Sequence, residues 1–415
     1  DAPGRAPPGR GSRGSAEAGA PMGGPAVTRV DTMTGAEPPT ESVEAVSTAT
    51  GTAPVAVQQE ALALHLQPLD LRHPLGLAFA GFLRDAVLRY HNVLNPRLMR
   101  VITQDYHLRE YFHALQSYWL MKKGDVMHRY TGIIFEKVAE RAEWWHPTLL
   151  AEAWQGCVLE SSSVVDEQVS IQPVVLDAAR AVRLKTSTIH CLSGVGFRFQ
   201  LPFPINIIIT ADSLGKYNSV FAFLVQIHYT KHSLERIAIP NTLYPAASKA
   251  DCPHHTVVQF VLLLRSRMLY ATNNLIYYFF TRLDSIWQDL MEELDACPDV
   301  DGARALHTAK LNQIMMCCIL TPQSKSVKMA VDQLLDTCLE LQKTCQGFIT
   351  KAISTPSQAL PPEDFDYTKK QFTRIQINFD NAHFLLLSVV GKLRQSEKGT
   401  FQGFEDLWTR LNFNR

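Results

Sequence analysis

The chain has 415 residues, with 40 Lys and Arg against 40 Asp and Glu, a formal net charge of zero and 46% hydrophobic residues. That length is ample for a large core. The charge balance argues against a dominant nucleic-acid or acidic-membrane role, because affinity for a phosphate backbone comes from a basic excess.

Residues 1–67 are rich in Gly, Pro, Ala, Ser and Thr without periodicity or aromatic residues. Such a segment cannot bury enough apolar surface to offset its chain entropy, so it is predicted to be a disordered linker. The chain opens on Asp1, and a fragment of a longer protein is expected. His73-Pro74 closes the approach to a domain over 68–415, divided into a first bundle at 68–158, an irregular or extended insertion at 159–210 and a long-helix bundle at 211–415.

Within 75–90, Leu75, Phe79, Phe82, Leu83, Ala86, Val87 and Tyr90 recur at three- and four-residue steps, one face of a helix. Asn95-Pro96 reads as an N-cap followed by proline at the first helical position of a second helix that runs to Trp119. Lys122-Lys123-Gly124-Asp125 is expected to stop that helix, with Gly124 supplying the left-handed conformation, and a further helix follows over 126–138. Trp144-Trp145-His146-Pro147 breaks the chain before a short helix through Trp154. Around Val164, Val169, Ile171, Val174 and Val175, then over 188–191 and 197–201, alternation predicts short strands or extended chain. Pro202 and Pro204 keep the backbone extended up to 205–209. Thr210 then caps a helix running to about Ile237.

The longest element is predicted over 256–294, about 58 Å if unbroken. It is apolar nearly all round at 257–264 and 275–280, so its middle should be enclosed by other helices. Its apolar runs are interrupted by Arg265, Arg267, Asn273 and Asn274, short of the roughly 20 consecutive apolar residues that a membrane span requires. No membrane insertion is expected. Pro298 stops the helix, and others follow over 301–320, 324–353 and 365–394. The expected fold is all-α: elongated stacked helical bundles, with a few short strands or extended segments around 185–210.

Signatures of catalysis are sparse. The sequence has no P-loop, no H-E-x-x-H and no G-x-S-x-G, and no cofactor is expected. Its eight cysteines form no C-x-x-C pair and read as core thiols in a reducing compartment. His228 and His232 are four apart on a helix, a spacing that can bind zinc, but His228 lines up with Phe221 and Leu224, so a core histidine is the better reading. Asp251, Cys252, His254 and His255 crowd one loop before a helix, where capping explains them better than metal ligation. Glu292, Glu293 and Asp295 read as a solvated helix end. Tyr111, Tyr118, Trp119, Trp144, Trp145, Tyr277, Tyr278, Phe279 and Phe280 are more aromatic surface than one helix stripe hides. Most belong to the core, and some are candidate interface anchors. Such a chain suits a helical adaptor for protein partners.

Four passages resemble a known family in the right order: DYHLREY at 105–111 with YWLMKKGD at 118–125, LPFPINIIIT at 201–210, LGKYNSVFAFL at 214–224, and LWTRLNFN at 407–414. They resemble the second conserved region of gamma-tubulin complex proteins. Phe203 stands where the family usually has Trp, and Asn412 where it has Asp. The resemblance implies a helical, non-enzymatic scaffold that binds gamma-tubulin and stands beside other gamma-tubulin complex proteins to support microtubule nucleation. Its implied place is the cytoskeleton, at microtubule-organising centres and spindle poles. The partner-binding candidates that it suggests are Lys216, Tyr217, Asn218, Arg265, Asn274, Tyr278 and Arg282.

Overall fold

A computed structural model describes residues 75–140, 143–159, 171–176, 188–239, 253–354, 362–395 and 404–412. The expectations for 1–67, His73-Pro74, Val164, Val169, Asp251 and Cys252, and for the side chains of His254 and His255, lie outside the described residues.

Among the described residues the fold is all-α with one small hairpin. The first helix, α1 (Leu75–Gln104), is continuous through Pro96, where a new helix was expected. Proline forfeits its own bond to the preceding turn and crowds the Asn92 carbonyl, but Asn92 and Pro96 are both exposed, so that carbonyl can tilt outward and bond to water. The predicted apolar face does exist, but Phe79, Leu83 and Val87 stand exposed on it. Only the last turns, through Met99 and Ile102, reach the core.

The chain then breaks at His107, which has a left-handed φ of 52°, and restarts as α2 (Leu108–Ala114). The single helix expected through Trp119 is thus divided. A π-helical turn, Leu115–Trp119, follows. The left-handed residue that ends this run is Met121, φ 57°, and Gly124 instead opens α3 (Gly124–Ala139). Met121 takes this strained region because its side chain is buried, so packing outweighs the modest backbone cost. The next helix is α4 (Pro147–Leu159).

The hairpin pairs β1 (Ile171–Val175) with β2 (Val195–Phe199), antiparallel, with Ile171 opposite Phe199 and Val175 opposite Val195. Residues expected to be extended at 188–191 form a 3-10 turn, Ile189–Leu192, and 205–209 holds a short helix, α5 (Ile205–Ile208), in place of extended chain. Strand geometry survives only where one face alternates inward: on β2, Phe197 and Phe199 are buried while Arg198 is exposed.

The centre of the domain is α6 (Ala211–Glu235). Thr210 caps it as expected, its side chain accepting from the Ser213 amide. Tyr217, Val220, Phe221, Leu224, Val225 and Ile227 are all buried, so the helix is covered on nearly every side. It packs against α7 (Pro253–Asp295), α8 (Val300–Cys317), α9 (Lys325–Ser354), α3 and β2. The long α7 fulfils the expectation for 256–294 with small extensions at both ends. Asp299 caps α8 through the Gly302 amide. The helix α10 (Pro362–Gln395) packs chiefly on α9, and the last helix, α11 (Phe404–Asn412), lies against α10 and α7. One contiguous hydrophobic cluster runs from Met99 to Leu411, so the three predicted stretches share a core.

Candidate partner-binding surface

The seven candidate residues sit on two helices. Lys216, Tyr217 and Asn218 occupy the second turn of α6; Arg265, Asn274, Tyr278 and Arg282 follow along α7. They do not form one patch. Arg265 meets α6 at its C-terminal end, about 25 Å along the axis from the first three.

Three of the seven are interior. Tyr217 is fully buried, its hydroxyl 3.1 Å from Nε2 of His307 on α8. Asn218 is buried in a tie between three elements: its Oδ1 accepts from the Trp119 indole at 2.8 Å and from the Phe197 amide at 2.9 Å, while its Nδ2 donates to the Phe197 carbonyl at 3.0 Å. Tyr278 is buried against Phe404 of α11, ring centroids 6.3 Å apart. Burial raises the phenol pKa of both Tyr217 and Tyr278. A side chain with almost no exposed surface cannot touch a docked protein, so these three act by shaping the scaffold.

The other four are nearer the surface. Lys216 pairs with Asp212 at 3.1 Å and reaches Asn312 on α8 at 3.4 Å. Arg282 is half-buried on α7. Asn274 is also half-buried, yet its Nδ2 has no hydrogen-bond partner among the described residues. Arg265 donates from Nε to the Leu234 carbonyl at 2.8 Å and from a terminal nitrogen to the Glu235 carbonyl at 3.2 Å. It thereby adds bonds to carbonyls at the end of α6, one of which, Leu234, also accepts from the Ile237 amide at 3.3 Å, with the cation placed at the negative end of the helix dipole. Arg265→Met, which keeps the apolar stem, is expected to cost about 1–2 kcal/mol in urea unfolding. Arg265→Lys should recover only part of it, since an ammonium lacks the planar fork.

The most exposed aromatic on α7 is Tyr277, 55% accessible. The Arg410 guanidinium of α11 lies 4.1 Å from its ring centroid, and the Tyr270 hydroxyl donates to the Arg410 carbonyl at 3.4 Å. Leu263, Tyr270 and Tyr277 recur at seven-residue steps and are all exposed, a stripe down α7 that Arg410 of α11 overlies in part. Beside Tyr277 opens a groove of about 450 Å³ between the π-helical turn and α7. On its wall, Asp284 accepts from Lys122 at 2.6 Å and from Gln116 at 3.5 Å. Of the predicted aromatic set, Tyr118, Trp119, Trp144, Tyr278 and Phe279 are core, and Tyr277 is the exposed member.

The predicted carboxylate cluster is divided among ion pairs: Glu293 with Lys310 at 2.7 Å, and Asp295 with Arg109. Among the described residues no group of three His, Cys, Asp or Glu is placed to hold a metal ion, and no helix is long and apolar enough to cross a membrane. Sequence reasoning missed His307 and Lys310. A detectable signal was present, because Ala303, His307, Lys310, Leu311 and Ile314 share the buried face of α8, and two polar residues on an apolar stripe imply internal partners. The Trp119–Asn218 tie and the Asp284 groove had no such signal, since they join residues 99 and more than 160 positions apart.

Residues 108–415 match the family described as gamma tubulin complex component C-terminal. Among curated proteins, the chain is 25% identical over 330 residues to gamma-tubulin complex component 5 of Macaca fascicularis, covering 75% of this chain and 42% of that protein. It is 24% identical to component 5 of Mus musculus, covering 75% and 30%, and 22% identical to component 6 of Homo sapiens, covering 78% and 17%. The chain thus spans less than half the length of these relatives. With a family match that takes in α2 to α11, this chain belongs to the gamma-tubulin complex component family, in its C-terminal region.

Proposed function

We propose that this chain is a non-catalytic scaffold that carries gamma-tubulin and supports microtubule nucleation, alongside other gamma-tubulin complex proteins at the microtubule-organising centre and spindle pole. The observation that carries the reading is the family match over 108–415, together with relatives named as gamma-tubulin complex components. The exposed stripe on α7 supports a protein partner, because Tyr and Arg are favoured at interface hot spots and the Tyr277–Arg410 stack presents both on helices held by the core. Lys216, Asn274 and Arg282 are the polar positions proposed to contribute to recognition, with Arg265 fixing the end of α6.

The test is co-elution of the purified chain with gamma-tubulin at micromolar concentration. A stable complex is expected, weakened about tenfold or more by Tyr277→Ala or Arg410→Ala. Persistent separation of the two proteins, with the chain folded by circular dichroism, would overturn the reading. Binding that survives both substitutions unchanged would move the contact away from α7 and α11.

A further inference from the structure

A cavity of about 150 Å³ lies in the seam between α3 and α6, closed by Phe280 of α7. Three imidazoles line it: His128 from α3, and His228 and His232 one turn apart on α6. His228 is the unusual one. The residue is half-buried, its ring meets that of Phe280 edge to face with centroids 5.6 Å apart, and its Nε2, itself shielded from solvent, has no hydrogen-bond partner among the described residues. A buried polar nitrogen left unpaired is costly, and an apolar side chain of similar size would avoid that cost. The cavity therefore holds one half of a hydrogen bond.

The surroundings specify the other half. Met121, Met127 and Phe135 give an apolar, adaptable wall suited to a short methylene chain. The charged groups at the seam are Lys231 and Glu235 on α6, Arg236 just past its end, and Glu136 on α3; among the described residues α7 contributes Phe280. Lys231 and Glu235 face each other at 3.8 Å. The two cations and two carboxylates balance, so any proton taken up by the three imidazoles leaves the cavity positive. These rings do not form a metal-holding group, which directs the argument to an organic ligand.

We propose that this cavity is a docking pocket for an acidic side chain, Glu in preference to Asp, presented by a protein segment. His228 donates to the carboxylate, Lys231 at the rim supplies positive charge, and the methionine wall takes the methylenes. A carboxylate beside an imidazole favours the protonated ring, so binding takes up protons and strengthens as pH falls. The inference is independent of the gamma-tubulin reading.

The test uses the whole chain, a fluorescent tetraglutamate peptide and its tetraglutamine counterpart, compared by anisotropy at about pH 5, toward the range to which burial lowers His228, and at about pH 7.5, above the ordinary histidine pKa. Tetraglutamate is expected to bind about tenfold more tightly than tetraglutamine at the lower pH and to lose most of that advantage at the higher one. Calorimetry in buffers of different ionisation enthalpy should register the proton uptake. His228→Leu removes the orphaned nitrogen and His232→Gln removes a second titratable ring; each should flatten the pH dependence with the fold intact. Should His228→Leu fail to fold, His232→Gln carries the test. Equal affinity for the two peptides, a pH dependence untouched by the histidine substitutions, or stoichiometric zinc bound at these rings would each overturn the proposal.

Discussion

Asn218→Ala is expected to lower the stability of the domain by about 3–5 kcal/mol, the largest loss for any single polar side chain in it. The reason is the number of partners stranded at once. Asn218 takes hydrogen bonds from the Trp119 indole and the Phe197 amide and returns one to the Phe197 carbonyl. Trp119 and Phe197 are essentially inaccessible to water, so truncation orphans two donors and an acceptor, each costing about 1–3 kcal/mol, and opens a small void. The same residue joins the π-helical turn, the hairpin and α6, so its loss loosens three elements together.

Two companions sharpen the expectation. Trp119→Phe removes only the indole donor and should cost less, since Asn218 keeps both bonds to Phe197. Gly196→Ala should be nearly as damaging as Asn218→Ala: its new Cβ would stand 2.9 Å from Asn218 Oδ1 and 3.0 Å from Cγ, and that amide cannot swing aside without breaking the tie. Ser219→Ala next door is the control, because its exposed hydroxyl bonds only to the Gly215 carbonyl within the helix; a change within about 0.5 kcal/mol is expected. Urea midpoints followed by circular dichroism decide the matter, and an Asn218→Ala protein as stable as Ser219→Ala would show that the tie is incidental.

The same residue explains what sequence reading can reach. Helical period, caps and stops are local, so the Thr210 cap, the extent of α7 and the starts of α9 and α10 were legible within a few residues. Met121 was not, because left-handed backbone at a buried Met is imposed by packing and leaves no mark in composition, whereas Gly124 advertised a turn that the chain does not use there. Pro96 misled for the opposite reason: its signal is strong locally, yet an exposed helix tolerates the lost bond. Asn218 sat in a recognisable motif, but its role depends on Trp119 arriving from 99 residues away. At the surface, Tyr277 was legible as an aromatic in excess of one stripe. Arg410 was not, since only the docking of α11 on α7 brings it there.

Acid is expected to destabilise the domain between pH 6.5 and about 4, with a net uptake of about two protons on unfolding from His228 and His307. His307 is held between the Ile208 carbonyl, 3.2 Å from Nδ1, and the Tyr217 hydroxyl, 3.1 Å from Nε2. The carbonyl can only accept, so Nδ1 carries the hydrogen and the neutral Nε2 accepts from Tyr217, whose phenol burial keeps protonated. Charging that ring would place a cation in the core. Burial, aided by Lys216 and opposed by the bond to Ile208, lowers its pKa to about 4. At His228, burial first, and then Lys231 and His128, bring the pKa to about 4 as well. The unfolded chain protonates both near 6.5, so throughout the window the unfolded state binds more protons and stability falls as pH falls. Above 6.5 neither ring contributes a slope. Each accounts for on the order of 3 kcal/mol across the window. Half-buried His232 is lowered too and adds in the same sense, whereas Asp336, raised by burial, works weakly against it. His307→Gln offers Ile208 a donor and Tyr217 an acceptor without titrating, and His228→Leu removes the second proton, so each should flatten the dependence of urea midpoint on pH by about one proton. A double variant with the slope of the original protein would mean that these rings are charged in the folded state, and that burial does not govern them.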